Sequence, residues 1–390
     1  MVRRSAQIPK RLHDQETPAV APSPKIDHRQ SIPLVTTSAA MTPDWFHCWL
    51  TKAGLLDDAE LVSVDVEPVT GGLIARMVRA RLTYNRSTAA PSSVVVKFPT
   101  DDPGSLALAQ AMGMYELETR FYQDIAPLLP ATGIPICYLA ELSDDLTTFN
   151  LVLEDLTVRT RAGDVLTTAS IDECERALIE LVNFQAPLWN SARLASIEWL
   201  ANQTRTIAVF DALPAGLAPF IERFGDHLDQ SHIALFESIV PQAGRWVRSW
   251  KAPTVLQHGD FRSDNLLFPL DPDDSRVTVL DFQTVRLGPP GIDPAYYLGA
   301  SLSTTARRAA EHDLITRYHQ GLLRSGVEDF DFDACWESYR EGALYGVMLF
   351  VGMASQVEST ERGDRVIVEQ ARRYADMAID LDSARAANLA

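Results

Sequence analysis

The first third of the chain alternates apolar and polar positions as β-strands do, and two helical segments accompany these strands. The first helix is predicted from Thr42 to Leu55, because Thr42 can cap its amino terminus and Pro43 suits its first turn. Valine-rich segments then predict strands on both sides of a second helix at 105–129. The strands are expected at 61–69, 75–84, 92–98, 136–142 and 148–156.

The rest of the chain has a mostly helical pattern. Ser170 and Glu173 form a capping box, which opens a helix that continues to Trp189. Two short apolar strands interrupt the later helices and bracket a polar segment at 258–265. The later helices are expected near 213–249, 304–325, 332–356 and 364–386, and the two strands at 254–256 and 277–282.

These patterns predict an α+β fold with two lobes. A small β-rich N-lobe is expected at 41–156, and a larger, mostly helical C-lobe at 157–390. Residues 1–40 carry scattered basic residues and several prolines, which predicts a disordered extension. Because no apolar segment follows its first basic residues, secretion is not expected, and Met41 is left open as an alternative start.

The composition and net charge of the chain limit the kinds of molecule that it is expected to bind. A chain of 390 residues with 46% hydrophobic and 22% charged residues is typical of a soluble globular protein that can bury a large core. Its net charge of −17 repels phosphate backbones, which argues against nucleic acid as a partner and tolerates a cationic substrate. The oligomeric state is left open.

The cysteines and the apolar runs suggest a compartment. No apolar run reaches the roughly 18 residues of a membrane span, so no membrane span is expected. The cysteines lie far apart with no CxxC spacing, which favours reduced thiols in a cytoplasmic protein over a zinc site or a disulfide framework. They are Cys48, Cys137, Cys174 and Cys335.

The polar segment HGDFRSDN holds the first candidate for chemistry. His258, Asp260 and Asn265 reproduce the H-x-D-x-x-x-x-N frame of kinase catalytic loops. In that frame the aspartate takes the proton of the substrate hydroxyl, and the asparagine holds a metal ion. Read alone, HGD is equally compatible with a turn that contains a structural histidine.

Further candidates stand before and after this segment. Asp281 ends an apolar strand, where a lone carboxylate needs a cation or donors, and Mg²⁺ suits such a site. Lys97 ends the valine-rich strand VVVK and resembles a phosphate-binding lysine. Glu118 is its favoured partner and Glu116 the alternative. The turn Gly71-Gly72 is a phosphate-loop candidate, although alone it fits a hairpin turn better.

The order of these features favours a kinase over separate coincidences. A glycine turn, a strand lysine, a helix glutamate, the HxDxxxxN frame and a strand aspartate follow one another as they do in kinases. Only eleven residues separate Asp281 from Asp293, which leaves no room for a long segment that docks a peptide. These features predict a kinase of small molecules rather than of proteins.

The segments HGDFRSDNLLF and VLDFQTVRLGPPGIDPAYYL resemble the aminoglycoside phosphotransferase and choline kinase superfamily. They are most similar to its ecdysteroid-kinase-like branch, bacterial type, and the resemblance extends over about residues 42–380. It implies a bilobal protein-kinase-like fold that binds ATP and Mg²⁺ between the lobes. The sequence departs from the family pattern at two positions. Gln185 stands where a histidine is frequent, and Leu73 replaces a third glycine.

The resemblance also implies a role for each candidate. Asp260 would be the catalytic base, with His258 bracing its loop, and Asn265 and Asp281 would be the metal ligands. Asp293 would hold the loop through hydrogen bonds or, equally, cap a helix. The nucleotide would be bound by Gly71 and Gly72, by the pair Lys97 and Glu118, and by the backbone at Leu153, Glu154 and Asp155.

The expected reaction is transfer of the γ-phosphate of ATP to a hydroxyl group of a small molecule. A lipophilic alcohol or steroid is favoured on the branch resemblance, and an aminoglycoside or choline-type acceptor is the alternative. Two rival functions stay open: a catalytically silent nucleotide-binding protein, and an enzyme that transfers AMP to protein. Aromatic residues at 199–250 are expected to form mostly core, with some lining an apolar pocket.

Overall fold

The computed structural model describes residues 32–69, 74–129, 132–271, 273–354 and 360–390. The predicted glycine turn, Gly71-Gly72, lies outside these ranges. The described chain has a β-sheet in its first part and a mainly helical second part, so the predicted α+β fold is confirmed.

The first part contains an antiparallel sheet in the order β1-β2-β3-β5-β4. Successive residues of β5 point to opposite faces of the sheet. Val152 packs on one face with the first helix, and Leu151 packs on the other face with the helices that follow β3. All five predicted strands are confirmed within about two residues. Their bounds are Leu61–Val69 (β1), Ala75–Tyr84 (β2), Ser93–Pro99 (β3), Cys137–Leu142 (β4) and Phe149–Glu154 (β5).

The prediction of a disordered extension over residues 1–40 is wrong for residues 32–40, and residues 1–31 lie outside the described ranges. Ile32 and Val35 are buried in the core beneath the first helix, α1 (Pro43–Lys52). Val35 also exchanges two hydrogen bonds of 2.8 Å with the side chain of Asn150 on β5. Two apolar anchors and a satisfied buried amide therefore hold the segment from residue 32 onward against the sheet.

The helix predicted at 105–129 is divided. Gly113 has a φ of +64°, which ends α2 (Pro103–Met112) and redirects the chain into α3 (Met114–Arg120). A π-helical turn, Phe121–Ile125, and a 3-10 turn, Ala126–Leu128, follow. Because of this break, Glu116 and Glu118 lie on a short separate helix.

The second part is built from helices around two short sheets. The predicted capping box is present, and Ser170 and Glu173 bond each other's backbone N–H groups. None of the helices in the described ranges has both the length and the apolar character that a membrane crossing requires. The helices are Ile171–Gln185 (α4), Ala192–Ala195 (α5), Glu198–Ala201 (α6), Thr204–Ala212 (α7), Leu217–Phe224 (α8), Gln230–Ile239 (α9), Ala243–Arg248 (α10), Ile292–Ser301 (α11), Thr304–Arg324 (α12), Phe332–Gly342 (α13), Leu344–Met353 (α14), Glu361–Asp380 (α15) and Ser383–Ala386 (α16).

The helical segment expected near 213–249 consists of three helices, α8, α9 and α10. A 3-10 turn at Gly225–His227 separates α8 from α9, and one that contains Pro241 separates α9 from α10. The two predicted strands are present, and three further strands were too short to predict from periodicity. The strands pair as β7 with β10, and as β6-β8-β9. Their bounds are Thr160–Ala162 (β6), Val255–Gln257 (β7), Leu266–Pro269 (β8), Thr278–Val279 (β9) and Arg286–Gly288 (β10).

Candidate active site

A cleft of about 2150 Å³ opens between the five-stranded sheet and the helical part. It brings together residues that are far apart in the sequence. Most of the predicted site residues within the described ranges line it: Lys97, Glu118, Leu153, Glu154, Asp155, Asp260, Asn265 and Asp281. His258 is fully buried behind them.

One end of the cleft contains a group of three charged residues, Lys97, Glu118 and Asp281, which we call the lysine cluster. Nζ of Lys97 lies 2.7 Å from both carboxylate oxygens of Glu118 and 3.1 Å from Oδ1 of Asp281. Burial alone would lower the pKa of Lys97, but the two carboxylates outweigh it and raise the pKa above its ordinary value. The structure thus places Lys97 against Glu118 and keeps it charged.

Glu116, the alternative partner, points elsewhere. Its carboxylate lies 3.2 Å from Nε of Arg120 and 2.5 Å from Nη2 of Arg205 on α7. The guanidinium of Arg205 lies close over Gly113, where there is no side chain to obstruct it. Glu116 therefore connects the helix that carries Glu118 to the helical part of the protein.

The segment 258–265, the HGD loop, presents Asp260 to the cleft. Oδ1 of Asp260 accepts a hydrogen bond of 3.2 Å from the hydroxyl of Tyr296, and Oδ2 accepts one of 3.2 Å from Nε of Arg262. Burial raises the pKa of Tyr296, so its hydroxyl stays a donor. These contacts fix the direction of the Asp260 carboxylate.

Asn265 is oriented by the same carboxylate. Its Nδ2 donates to Oδ2 of Asp260 at 3.0 Å and to the Asp260 carbonyl at 2.8 Å. Because carboxylate and carbonyl oxygens only accept, the nitrogen must face Asp260 and the amide oxygen must point away. The amide oxygen of Asn265 is therefore the atom left for a cation.

His258 and Asp293 hold the HGD loop from behind. Nε2 of His258 lies 2.8 Å from the Leu280 carbonyl, and its Nδ1 accepts from the Asp260 N–H at 3.3 Å. Asp293 accepts from the N–H groups of His258 and Gly259 at 2.8 and 3.0 Å. The N-cap of α11 is Gly291 and not Asp293. Of the two roles expected for Asp293, its contacts therefore support the one in which it holds the loop.

Asp281 stands beside Asn265 because the hairpin β8–β9 ends there. Leu280 donates its N–H to the carbonyl of Asn265 at 2.9 Å. Asp281 has a φ of +69°, which is costly for a residue with a side chain, and strain of this kind is found at functional sites. The amide oxygen of Asn265 and the carboxylate of Asp281, which stand on neighbouring strand ends, are oxygen ligands of the kind that Mg²⁺ prefers.

The residues of segment 153–155 line the cleft. The Glu154 N–H already donates to the Ile136 carbonyl at 2.8 Å. The side chain of Asp155 accepts from Arg79 at 2.8 Å and is thereby directed toward the sheet. The predicted binding of adenine by this backbone stays a prediction.

The other end of the cleft has an aromatic wall, formed by Phe210, Tyr296, Tyr345 and Phe350. The ring centroid of Tyr296 lies 5.1 Å from that of Tyr345 and 6.5 Å from that of Phe350, and Phe210 is 6.1 Å from Tyr345. Val209, Leu349 and Ile367 add aliphatic surface. Since Tyr296 also bonds Asp260, this wall adjoins the HGD loop.

The aromatic residues expected at 199–250 divide between wall and core. Trp199 and Phe210 line the cleft, although Phe210 is also buried in the core that contains Phe220, Phe224 and Trp246. Sequence reasoning missed Arg262, Tyr296, Tyr345 and Arg286 as neighbours of Asp260. Arg262 could have been noticed inside the motif, but the other three depend on how helices and strands pack.

The fold and the cleft define a bilobal, kinase-like protein. The chain matches the sequence model of the phosphotransferase enzyme family over residues 65–332, and it belongs to that family. The predicted relationship to the aminoglycoside phosphotransferase and choline kinase superfamily is thereby confirmed. A comparison with curated protein sequences gave no match.

Solved structures of similar fold include two small-molecule kinases. The Plasmodium vivax ethanolamine kinase is 11% identical, with a TM-score of 0.50 over 79% of this chain and 80% of that one. A microcompartment-associated aminopropanol kinase is 11% identical, with a TM-score of 0.50 over 84% and 95%. The GDP complex of aminoglycoside 2′-phosphotransferase-IIIa is 15% identical, with a TM-score of 0.47 over 86% and 98%.

Proposed function

We propose that the protein is a small-molecule kinase that transfers the γ-phosphate of ATP to a hydroxyl group. The observation that carries this proposal is the meeting of the lysine cluster and the HGD loop in one cleft. One provides charges suited to phosphates, and the other provides an oriented carboxylate. The aromatic wall beyond Asp260 provides the surface for an acceptor.

Asp260 is the proposed base. It accepts the proton of the acceptor hydroxyl as the new oxygen–phosphorus bond forms and the bond between the β- and γ-phosphates breaks, which releases ADP. Tyr296 and Asn265 hold its carboxylate in place, and Arg262 adds a positive charge beside it. His258 and Asp293 keep the loop in position and take no part in proton transfer.

The other end of the cleft binds the nucleotide in this proposal. Lys97, held by Glu118, contacts the phosphates, while the backbone at Leu153, Glu154 and Asp155 receives the adenine. Mg²⁺ held by Asn265 and Asp281 would neutralise phosphate charge, with further oxygen ligands from the nucleotide. Among the residues described, no cluster of three or more His, Cys, Asp or Glu could hold a metal by itself.

The acceptor is proposed to be a lipophilic alcohol, of which a steroid is one example. Its support is the apolar character of the wall, where Val209, Phe210 and Leu349 face the cleft. The names of the similar structures point instead to amine-bearing acceptors: ethanolamine, aminopropanol and aminoglycosides.

The proposal is tested by incubating the protein with Mg·ATP and a metabolite extract and following compounds that gain a phosphate by mass spectrometry. We expect one class of hydroxyl compound to be converted, and the Asp260→Asn variant to convert none. If Mg·ATP raises the melting temperature but no compound gains a phosphate, the protein is a silent nucleotide-binding protein and the proposal is wrong.

A further inference from the structure

Arg286, on β10, lies where the aromatic wall meets the HGD loop. Its Nε donates to Oε1 of Gln257 at 2.9 Å, and its guanidinium carbon lies 4.8 Å above the ring of Tyr345. A methyl group on Gly259 would lie only 2.7 Å from Nη1 of Arg286. The guanidinium is therefore next to the residue that precedes Asp260.

The guanidinium of Arg286 has no carboxylate in direct contact. Its Nη2 is buried and has no hydrogen-bond partner, and within the described ranges Arg286 forms no salt bridge. Asp293 attracts its charge from a distance, but the Asp293 oxygens bind the backbone of the HGD loop. A buried donor without a partner costs free energy, since it has lost water and gained nothing. Because Arg286 lines the cleft, a small movement of its guanidinium would bring this unpaired donor to an anion bound there.

The other two arginines at this end of the cleft differ in this respect. Arg262 lies 3.2 Å from Oδ2 of Asp260 and 3.4 Å from Oδ2 of Asp264. Arg205 lies 2.5 Å from Oε2 of Glu116. Each has a carboxylate partner, so among these three Arg286 alone lacks a salt bridge.

The carboxylates at this end are poorly placed to receive a cationic acceptor. Asp260 is held by Tyr296 and Arg262, and Asp264 accepts from the Val165 N–H at 2.8 Å and faces Arg262. Glu198 is solvent-exposed. The ring of Tyr345, which could bind an ammonium group through its face, already has Arg286 above it.

We propose that the acceptor carries a carboxylate, which Arg286 binds, while its apolar body packs on the aromatic wall and its hydroxyl reaches Asp260. The carboxylate supplies the missing partner of Nη2 beside a wall of rings and aliphatic side chains. This inference rests on the proposed function for the role of the wall, but the recognition of the anion can be measured without turnover.

The test uses three probes of nearly equal size and different charge: benzoate, benzamide and benzylammonium. Each is titrated into the protein saturated with Mg·ADP, so that the lysine cluster is not available to them, and binding is followed by ligand-observed NMR. We expect benzoate to bind about tenfold or more tightly than benzamide, and benzylammonium to bind most weakly.

Two variants assign the effect. Arg286→Gln should remove the preference for benzoate, and Arg286→Lys should keep part of it, because lysine retains the charge but not the planar fork. Arg205→Gln is the matched control, since it removes a paired arginine from the same end, and it should keep the preference. Each preference is the ratio of the affinities of two probes for the same variant. A smaller folded fraction affects both measurements alike and therefore does not change this ratio.

The outcomes separate the two proposals. The inference about Arg286 is contradicted if the three probes bind the wild-type protein equally well or if none of them binds. It is also contradicted if the preference for benzoate survives in Arg286→Gln. As an acceptor test, 4-(hydroxymethyl)benzoate is compared with its methyl ester, and the acid should have the higher kcat/KM. Benzoate binding without any phosphate transfer to the compounds of a metabolite extract would leave the anion site in place and remove the proposed kinase activity.

Discussion

The two ends of the cleft are built from different interactions. At the lysine cluster, the ammonium of Lys97 lies within 3.1 Å of both carboxylates, so each charge has a partner. At the aromatic wall, rings and aliphatic side chains lie beside Arg286, which has no salt bridge to any residue that the structure describes. The first end suits a highly charged ligand, and the second suits a ligand with a largely apolar body.

The two ends are nevertheless connected. Arg205 on α7 bonds Glu116 on α3, and Nε1 of Trp199 on α6 donates to Oδ2 of Asp124 at 2.9 Å. Through these contacts the helices beside the acceptor end touch the helix that carries Glu118 and the turn that follows it. A change at one end can therefore alter the geometry of the other.

The largest effect is expected for Asp260→Asn, at the boundary between the two ends. Turnover should fall by about 10²- to 10⁴-fold because the proton acceptor is lost, while the affinity for Mg·ATP changes by less than about threefold. Steady-state kinetics and calorimetry measure the two quantities. Asp264→Asn, which removes the neighbouring carboxylate, should lose much less turnover; an equal loss in both variants would contradict the assignment.

The second-largest effect is expected for a substitution in the lysine cluster, and it concerns the binding of Mg·ATP. Asp281→Ala should weaken Mg·ATP binding by about tenfold or more, because a charged ligand of the proposed metal site is removed. Titration calorimetry in the presence of Mg²⁺ shows the loss. In EDTA the difference between variant and wild type should shrink, and a difference that is independent of Mg²⁺ would argue against a metal role.

A smaller effect tests the connection between the ends. Arg205→Gln and Glu116→Gln should each lower acceptor kcat/KM and raise the KM for ATP by about three- to tenfold, because both loosen the contact between α7 and α3. The double variant should be little worse than either single variant. An effect confined to the acceptor would show that the two ends act independently.

The smallest effect concerns stability and pH. Glu180 on α4 accepts from the Gly133 N–H, and the Gly133 carbonyl in turn accepts from Val279 at 2.7 Å, two residues before Asp281. Burial raises the pKa of Glu180 to about 7, while the N–H of Gly133, the amide of Asn183 and the charge of Arg276 oppose this. The folded protein thus holds this proton more tightly than the unfolded chain does.

The stabilising contribution of the Glu180 proton is present below the unfolded pKa and is lost as pH rises through about 7. Glu180→Gln imitates the protonated acid, so it should melt a few degrees higher than wild type at pH 8 and equally at pH 4. Thermal unfolding across this range measures the difference. A variant that is destabilised at pH 8 would show that the charged carboxylate is needed.

The fold and the charged end of the cleft could be predicted from the sequence, since they depend on local patterns. Strand alternation located β1–β5, and the spacing of Asp260 and Asn265 belongs to a loop of fixed length. Phe210 lies at 199–250, where some aromatic residues were expected to line an apolar pocket. Its meeting with Tyr296 and Tyr345 could not be predicted, because the three come from different helices whose packing is not encoded in any short segment. The break at Gly113 was missed because a single glycine is tolerated in many helices.

The central claim, transfer of the γ-phosphate to a small molecule, is tested most directly with ATP that is labelled at either the α- or the γ-phosphorus. The protein is incubated with each form and a metabolite extract, and the label is followed in the small-molecule and the protein fractions. The account predicts γ-label in a small molecule with the wild-type protein and none with Asp260→Asn. Label from the α-position in protein, or no transfer from either position, would contradict it.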